Sequence, residues 1–215
     1  MLKKEIIARV ERFVRQKLQN DVTGHGYWHI KRVRRLAKKI GQQEKADLFI
    51  VELASLLHDL DDWKFKKNDN LKKIKKLMLD LYLEKKIINQ VFTIVKNVSF
   101  LGYKVKTNLP TIEAKVVYDA DKLDAIGAIG IARIFATGAL RRRALYDPTV
   151  PLSKKVGDYR KRDSYSSVHH FYDKILLLPE KMQTKTGKNM AKVRIKFVKK
   201  YLKQFYEEWK GVNII

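Results

Sequence analysis

Cysteine is absent from this chain. That excludes a disulfide framework and a thiolate metal site, so any metal ligands must be His, Asp or Glu. It also makes an intracellular, cytoplasmic location the expectation. No apolar run approaches the length of a membrane span, and no membrane partner is expected. The stretch from Met1 to Phe13 scatters charges through its length and is not built like a secretory signal. Acidic residues are scarce: 23 Asp and Glu stand against 47 Lys and Arg, a formal net charge of +24. That excess favours encounters with polyanions, whether nucleic acid, acidic membrane or phosphorylated small molecules. The lysines are spread along the whole chain with no basic terminal arm, so the charge reads first as a surface habit and second as a nucleic-acid contact.

What is present suffices for one domain with a large core. The 215 residues are 45% apolar and 33% charged, the balance of a folded globular chain. Helical spacing of apolar residues recurs over residues 3–18, 69–83, 84–98, 111–126, 166–178 and 184–210. On the last segment, Met190, Val193, Phe197, Val198, Tyr201, Leu202 and Phe205 form the apolar side. A further helix opens near His25 and runs to about Ile40, with Val33, Leu36, Ala37 and Ile40 as its core stripe. Gly41-Gln42-Gln43 breaks the chain before a helix over 44–60 that is apolar on nearly all sides, as a buried core helix is. Residues 139–165 are the least regular and read as a lid-like loop carrying the run Arg141-Arg142-Arg143, which is either solvated or meets phosphate. No strand pattern of any length competes, and the fold class is all-α.

Titratable side chains gather at a few places on this frame. His29 lies on the buried stripe of its helix, with His25 one turn earlier on the same face. His58, Asp59, Asp61 and Asp62 cluster at the end of the core helix. Burying such groups without partners is costly, and a divalent cation satisfies an imidazole and a carboxylate together. The alternative is a helix end fraying into a solvated acidic turn. On 111–126, Val117, Asp121 and Ala125 share one stripe, which points Asp121 inward; Asp124 lies close to that stripe and Asp119 off to one side. Two imidazoles and two carboxylates on three helices suit a six-coordinate ion with open water positions better than structural zinc. Such an ion supplies a nucleophile near neutral pH and polarises a phosphoryl oxygen.

The order His29, His58-Asp59, Asp121 resembles the HD superfamily of metal-dependent phosphohydrolases. The segments GHGYWHIKRV, LASLLHDLDDWKF, DADKLDAIGAIGIAR and HHFYDKILLLPEKMQTKTGKNMAKVR, spread over residues 24–194, are similar to the bacterial and archaeal group that includes nucleoside triphosphate pyrophosphohydrolases. The resemblance implies a single-domain helical bundle, with an HD core at about 20–130 and C-terminal helices at about 164–210 packed on it. It implies that His29, His58, Asp59 and Asp121 hold the metal, manganese first, with magnesium, cobalt, nickel or iron as alternatives. Asp62, three residues after the HD aspartate, orients or deprotonates water. Lys122, with Lys64 or His25, neutralises phosphate charge; for Lys64 and Lys122 the other reading is an ordinary surface lysine. Asp124 supports the ligands or the packing, His170 packs near the cleft, and His169 is exposed. The group usually has His-Asp-Trp where this chain has His25-Gly26-Tyr27, so Gly26 supplies no carboxylate there.

The expected substrate is therefore a nucleotide. Release of pyrophosphate, phosphomonoester hydrolysis and cyclic phosphodiester hydrolysis all remain open, because pocket shape separates them. The expected assembly is a monomer or homodimer. A rival from another class is a basic nucleic-acid-binding protein with a structural or vestigial HD site, which requires the charge to concentrate on one face.

Overall fold

The computed structural model describes residues 2–18, 24, 26–60, 70–98, 107–152 and 164–212. The chain is all-α. Helix α1 spans Lys3–Leu18, α2 Tyr27–Gln43, α3 Leu48–Leu57, α4 Asn70–Asp80, α5 Lys85–Asn97, α6 Ile112–Asp124 and α7 Ala128–Leu140. After the irregular stretch come α8 (Ser167–Asp173), a 3-10 turn (Ile175–Leu177), α9 (Leu178–Lys181) and α10 (Lys185–Trp209). Among the described residues there is no strand, only an isolated bridge between Ala144 and Ser166. No single described helix is long and apolar enough to cross a membrane.

Helix α3 is the hub. Its sequence, LFIVELASLL, leaves only Leu48 and Glu52 outside the core. Helices α1, α2, α5 and α6 pack around it, and α10 closes the far side against α6 and α7. Short polar caps set the starts: Asp47 accepts from the Phe49 and Ile50 amides, Thr111 from Ala114, Ser166 from His169, and Thr184 from Gly187. Each cap satisfies an amide that the first helical turn leaves open.

Four local expectations are corrected. Gly41 does not break the chain: α2 runs through it to Gln43, and the glycine serves close packing there, since a Cβ would stand 3.0 Å from Leu48 Cδ2. The turn falls instead at Lys45, whose φ is 57°. The core helix is shorter than 44–60, starting after the Asp47 cap and ending at Leu57. Helix 166–178 is interrupted at Lys174 and continues as the 3-10 turn. Finally, Val193 and Phe197 do not face the core: they are 71% and 50% exposed. Helix α10 meets the core through Gly187, Ala191, Val198 and Leu202, a narrower arc than its apolar content suggests.

Candidate metal centre

Three elements converge at one end of α3. His29 comes from the first turn of α2, His58 and Asp59 from the turn just past α3, and Asp121 from the last turn of α6. His29 Nε2 lies 3.1 Å from Asp59 Oδ2 and 3.4 Å from Asp121 Oδ1. His58 Nε2 lies 3.6 Å from Asp59 Oδ1 and 3.7 Å from Asp121 Oδ1. The two imidazole rings tilt towards each other with centroids 5.4 Å apart. Ligand atoms of His29, His58 and Asp121 all fall within 4.8 Å of one another, a set that can hold a metal ion.

Three of these side chains are fixed from behind. His58 ends its helix by donating Nδ1–H to the Ser55 carbonyl, 2.8 Å away, one of the carbonyls a helix C-terminus leaves open. A carbonyl only accepts, so in the neutral ring the lone pair sits on Nε2. That Nε2 is buried and has no hydrogen-bond partner among the described residues. His29 Nδ1 likewise donates to Asp124 Oδ2 at 2.7 Å. Asp121 Oδ2 accepts from the Lys122 ammonium at 2.6 Å, leaving Oδ1 towards the imidazoles. A carboxylate or carbonyl behind a ligating imidazole fixes its tautomer and raises its basicity.

The electrostatics follow from this crowding. Burial alone would depress the pKa of His29, but Asp121, Asp124 and Asp59 outweigh it and push it up to about 10. Burial also opposes the charge on Asp59, yet His58 and His29 hold its carboxyl well below the usual carboxylate range. Asp121 is likewise held low against burial, by Lys122 and the two imidazoles. Without a cation, the site is a cage of ion pairs. A divalent ion would replace the proton on His29 and satisfy the His58 Nε2, which has no hydrogen-bond partner among the described residues, so the donor set fits a hard or borderline metal with nitrogen and oxygen ligands.

Asp124 accepts from His29 and is enclosed by two guanidinium groups. Arg32 reaches its Oδ1 at 2.7 Å and Oδ2 at 3.0 Å, and Arg133 reaches Oδ2 at 2.6 Å. Arg133 in turn packs against Gly24, whose φ of +80° and close approach (a Cβ would lie 2.7 Å from Arg133 Cγ) leave room for no side chain. Arg32 and Arg133 were not singled out from the sequence. The available signal was Arg32's place one turn after His29 on the same face.

Lys122 is neither exposed nor a surface lysine. Its ammonium is buried between Asp121 and the Val98 carbonyl, 3.0 Å away, and lies over the Tyr118 ring. Asp119 turns away from the metal ligands: it accepts from the Gln183 amide and from the amide and hydroxyl of Thr184, tying α6 to the start of α10. His169 is buried, contrary to its expected exposure, because Ser166 and the Val150 carbonyl take its two ring nitrogens. His170 is buried beside Ser164. Arg141 and Arg142 are exposed in the turn after α7. His25, Asp61, Asp62 and Lys64 lie outside the described residues.

Comparison with known proteins places this geometry. The family described as HD domain matches residues 26–126, a span that holds all four proposed ligands. The YpgQ protein of Bacillus subtilis (strain 168) is 34% identical over 209 residues, covering 95% of this chain and 94% of its own. The crystal structure of B. subtilis YpgQ in complex with ADP aligns over 97% of each chain at 33% identity, with a TM-score of 0.77. A crystal structure of an HD-superfamily hydrolase from Bacillus thuringiensis is 37% identical, with a TM-score of 0.77 over 97% of this chain and 99% of that one.

Proposed function

The chain belongs to the HD superfamily, and from that membership we propose that it is a metal-dependent phosphohydrolase that releases pyrophosphate from a nucleoside triphosphate. The observation that carries the reading is the buried Nε2 of His58, which has no hydrogen-bond partner among the described residues and faces Asp59 and Asp121. The relative crystallised with ADP supports a nucleotide as the substrate class.

His29, His58, Asp59 and Asp121 hold the ion, manganese before magnesium, cobalt, nickel or iron. When bound, it supplies Lewis-acid polarisation of a phosphoryl oxygen and a nucleophilic water near neutral pH. The chain's own groups do the rest. Asp124 and the Ser55 carbonyl keep both imidazoles in the ligating tautomer. Lys122 holds Asp121 in place and brings positive charge close to the reacting phosphate through that contact. Asp62 orients or deprotonates water. Direct neutralisation of phosphate falls to His25 and Lys64.

The test is a screen of metal-loaded protein against nucleoside mono-, di- and triphosphates and cyclic nucleotides, with separate detection of phosphate and pyrophosphate. Equal yields of pyrophosphate and nucleoside monophosphate from a triphosphate are expected. Orthophosphate from monophosphates alone would make the chain a phosphomonoesterase. Opening of cyclic nucleotides alone would make it a phosphodiesterase. No turnover by metal-loaded protein would overturn the assignment.

A further inference from the structure

Between Lys185 and Gln204, α10 holds seven lysines and one arginine and no acid. Arg194 turns inward and donates to the Leu123 carbonyl. Lys188, Lys192, Lys196, Lys199, Lys200 and Lys203 are all exposed. At helical pitch they fall within about 120° of arc and form a file about 22 Å long. Of these six, only Lys203 has an ion-pair partner among the described residues, Glu207 at 3.6 Å.

This differs from four of the six basic residues of α2. There Lys31 pairs with Glu11, Arg32 with Asp124, Arg34 with Glu11 and Glu52, and Lys38 with Glu52. On α10 the steps Lys188, Lys192, Lys196 and Lys200 set like charges at i,i+4, an arrangement that destabilises a helix. An anion laid along the file removes that repulsion. The flank of the file is also unusual. Val193 and Phe197 are 71% and 50% exposed on one side of it, with exposed Asn189 and Gln204 close by.

We propose that this face of α10 docks a single-stranded nucleic acid, with phosphates on the lysine file and a base stacked on Phe197. The one-sidedness of the face selects this occupant. A single strand has phosphates along one edge and bases along the other, whereas a duplex hides its bases and leaves Phe197 without a partner. An anionic lipid surface also attracts lysines, by about 1 kcal/mol each, but Val193 and Phe197 are the only large apolar side chains exposed beside the file among the described residues and give a bilayer little to bury.

The experiment is fluorescence anisotropy of a labelled oligouridylate with the full chain over a range of salt. In K188Q/K192Q/K196Q/K199Q, four phosphate contacts are lost. The slope of log K against log salt should flatten by about 3, and affinity should fall more than about tenfold at low salt. F197A should weaken binding about tenfold with the salt slope unchanged. K72Q/K73Q/K75Q/K76Q on α4 removes the same charge from a patch only about one turn long, and binding should stay within about twofold. Circular dichroism checks that all three variants keep their helices. Equal weakening by the α4 variant makes the effect one of net charge and overturns the proposal. So do an F197A variant that binds normally, a duplex that binds as tightly as the strand, or α10-dependent binding of anionic vesicles without binding of the oligonucleotide.

Discussion

Asp124 on α6 accepts the Nδ1–H of His29 at 2.7 Å, and this one contact aims the other ring nitrogen at Asp59 and Asp121. The same carboxylate is the counter-charge for Arg32 and Arg133, which together with His29 hold its pKa far below the ordinary carboxylate range against the effect of burial. Asp124→Asn keeps the shape and removes the charge. It should cost about 3 kcal/mol of stability, because two guanidinium groups lose their counter-ion. Metal affinity should fall by a factor of about 10 to 100 without being lost. Thermal melts and metal titration of the same preparation check both numbers.

In the proposed function Asp121 is a ligand and Asp62 a helper. Asp121→Asn should therefore lose bound metal and turnover together. Asp62→Asn should keep the metal and lose rate by a factor of about 100 to 10,000. Metal content by mass spectrometry, measured beside turnover, separates the two. Metal retained in Asp121→Asn and lost in Asp124→Asn would exchange their roles.

Metal uptake should be coupled to proton release. His29 has a pKa of about 10 in the metal-free protein, above its ordinary value of 6.5. A raised imidazole pKa adds stability that is complete below about pH 6.5 and fades as the pH rises towards 10. Binding an ion runs the other way, since the ligand must give up its proton. Burial opposes the charge on His58, but the Asp59 and Asp121 carboxylates raise its pKa as well. Affinity should therefore rise at least about tenfold per pH unit between about pH 7 and 9. Calorimetry in buffers of different ionisation enthalpy should find at least about one proton released per ion at neutral pH. A proton-free binding reaction contradicts this arrangement of charges.

Asp119 ties α10 to the helix that carries Asp121. Asp119→Ala strands the buried amide and hydroxyl of Thr184 and removes the acceptor of the part-buried Gln183 amide. A loss of about 3 kcal/mol is expected, or a fall in Tm of about 10 °C for a chain of this size. Metal affinity should change little, because Asp119 touches none of the four ligands in the described structure. Differential scanning fluorimetry with and without metal makes the comparison.

The readable parts of the sequence were those where one local pattern decides the outcome. Ile6, Ile7, Val10 and Val14 repeat at helical spacing, and α1 runs where they predict. Asp121 shares a stripe with Val117 and Ala125, and it faces the imidazoles. The misreadings arose where a distant partner overrides the local signal. Gly41 reads as a breaker until Leu48 is seen against it. His169 reads as exposed until the loop that carries Val150 is brought onto its ring. Lys122 reads equally as a surface lysine or a phosphate contact until Val98, 24 residues earlier, is seen turning its carbonyl to it, which removes the surface reading. The supports of Asp124 come from residues 92 positions before it and 9 after, a spacing no periodicity contains. Exposure of Val193 and Phe197 was hidden for a related reason: apolar content marks a face, and only packing says how much of it is covered.

The most direct measurement is metal content and nucleoside triphosphate hydrolysis in the wild-type chain beside His58→Ala. His58 Nε2 is buried and has no hydrogen-bond partner among the described residues, so His58→Ala removes a ligand atom without breaking a hydrogen bond of that atom. The wild type should bind a divalent ion and release pyrophosphate, and His58→Ala should do neither while keeping its helices. Full activity in a metal-free His58→Ala protein would contradict the account.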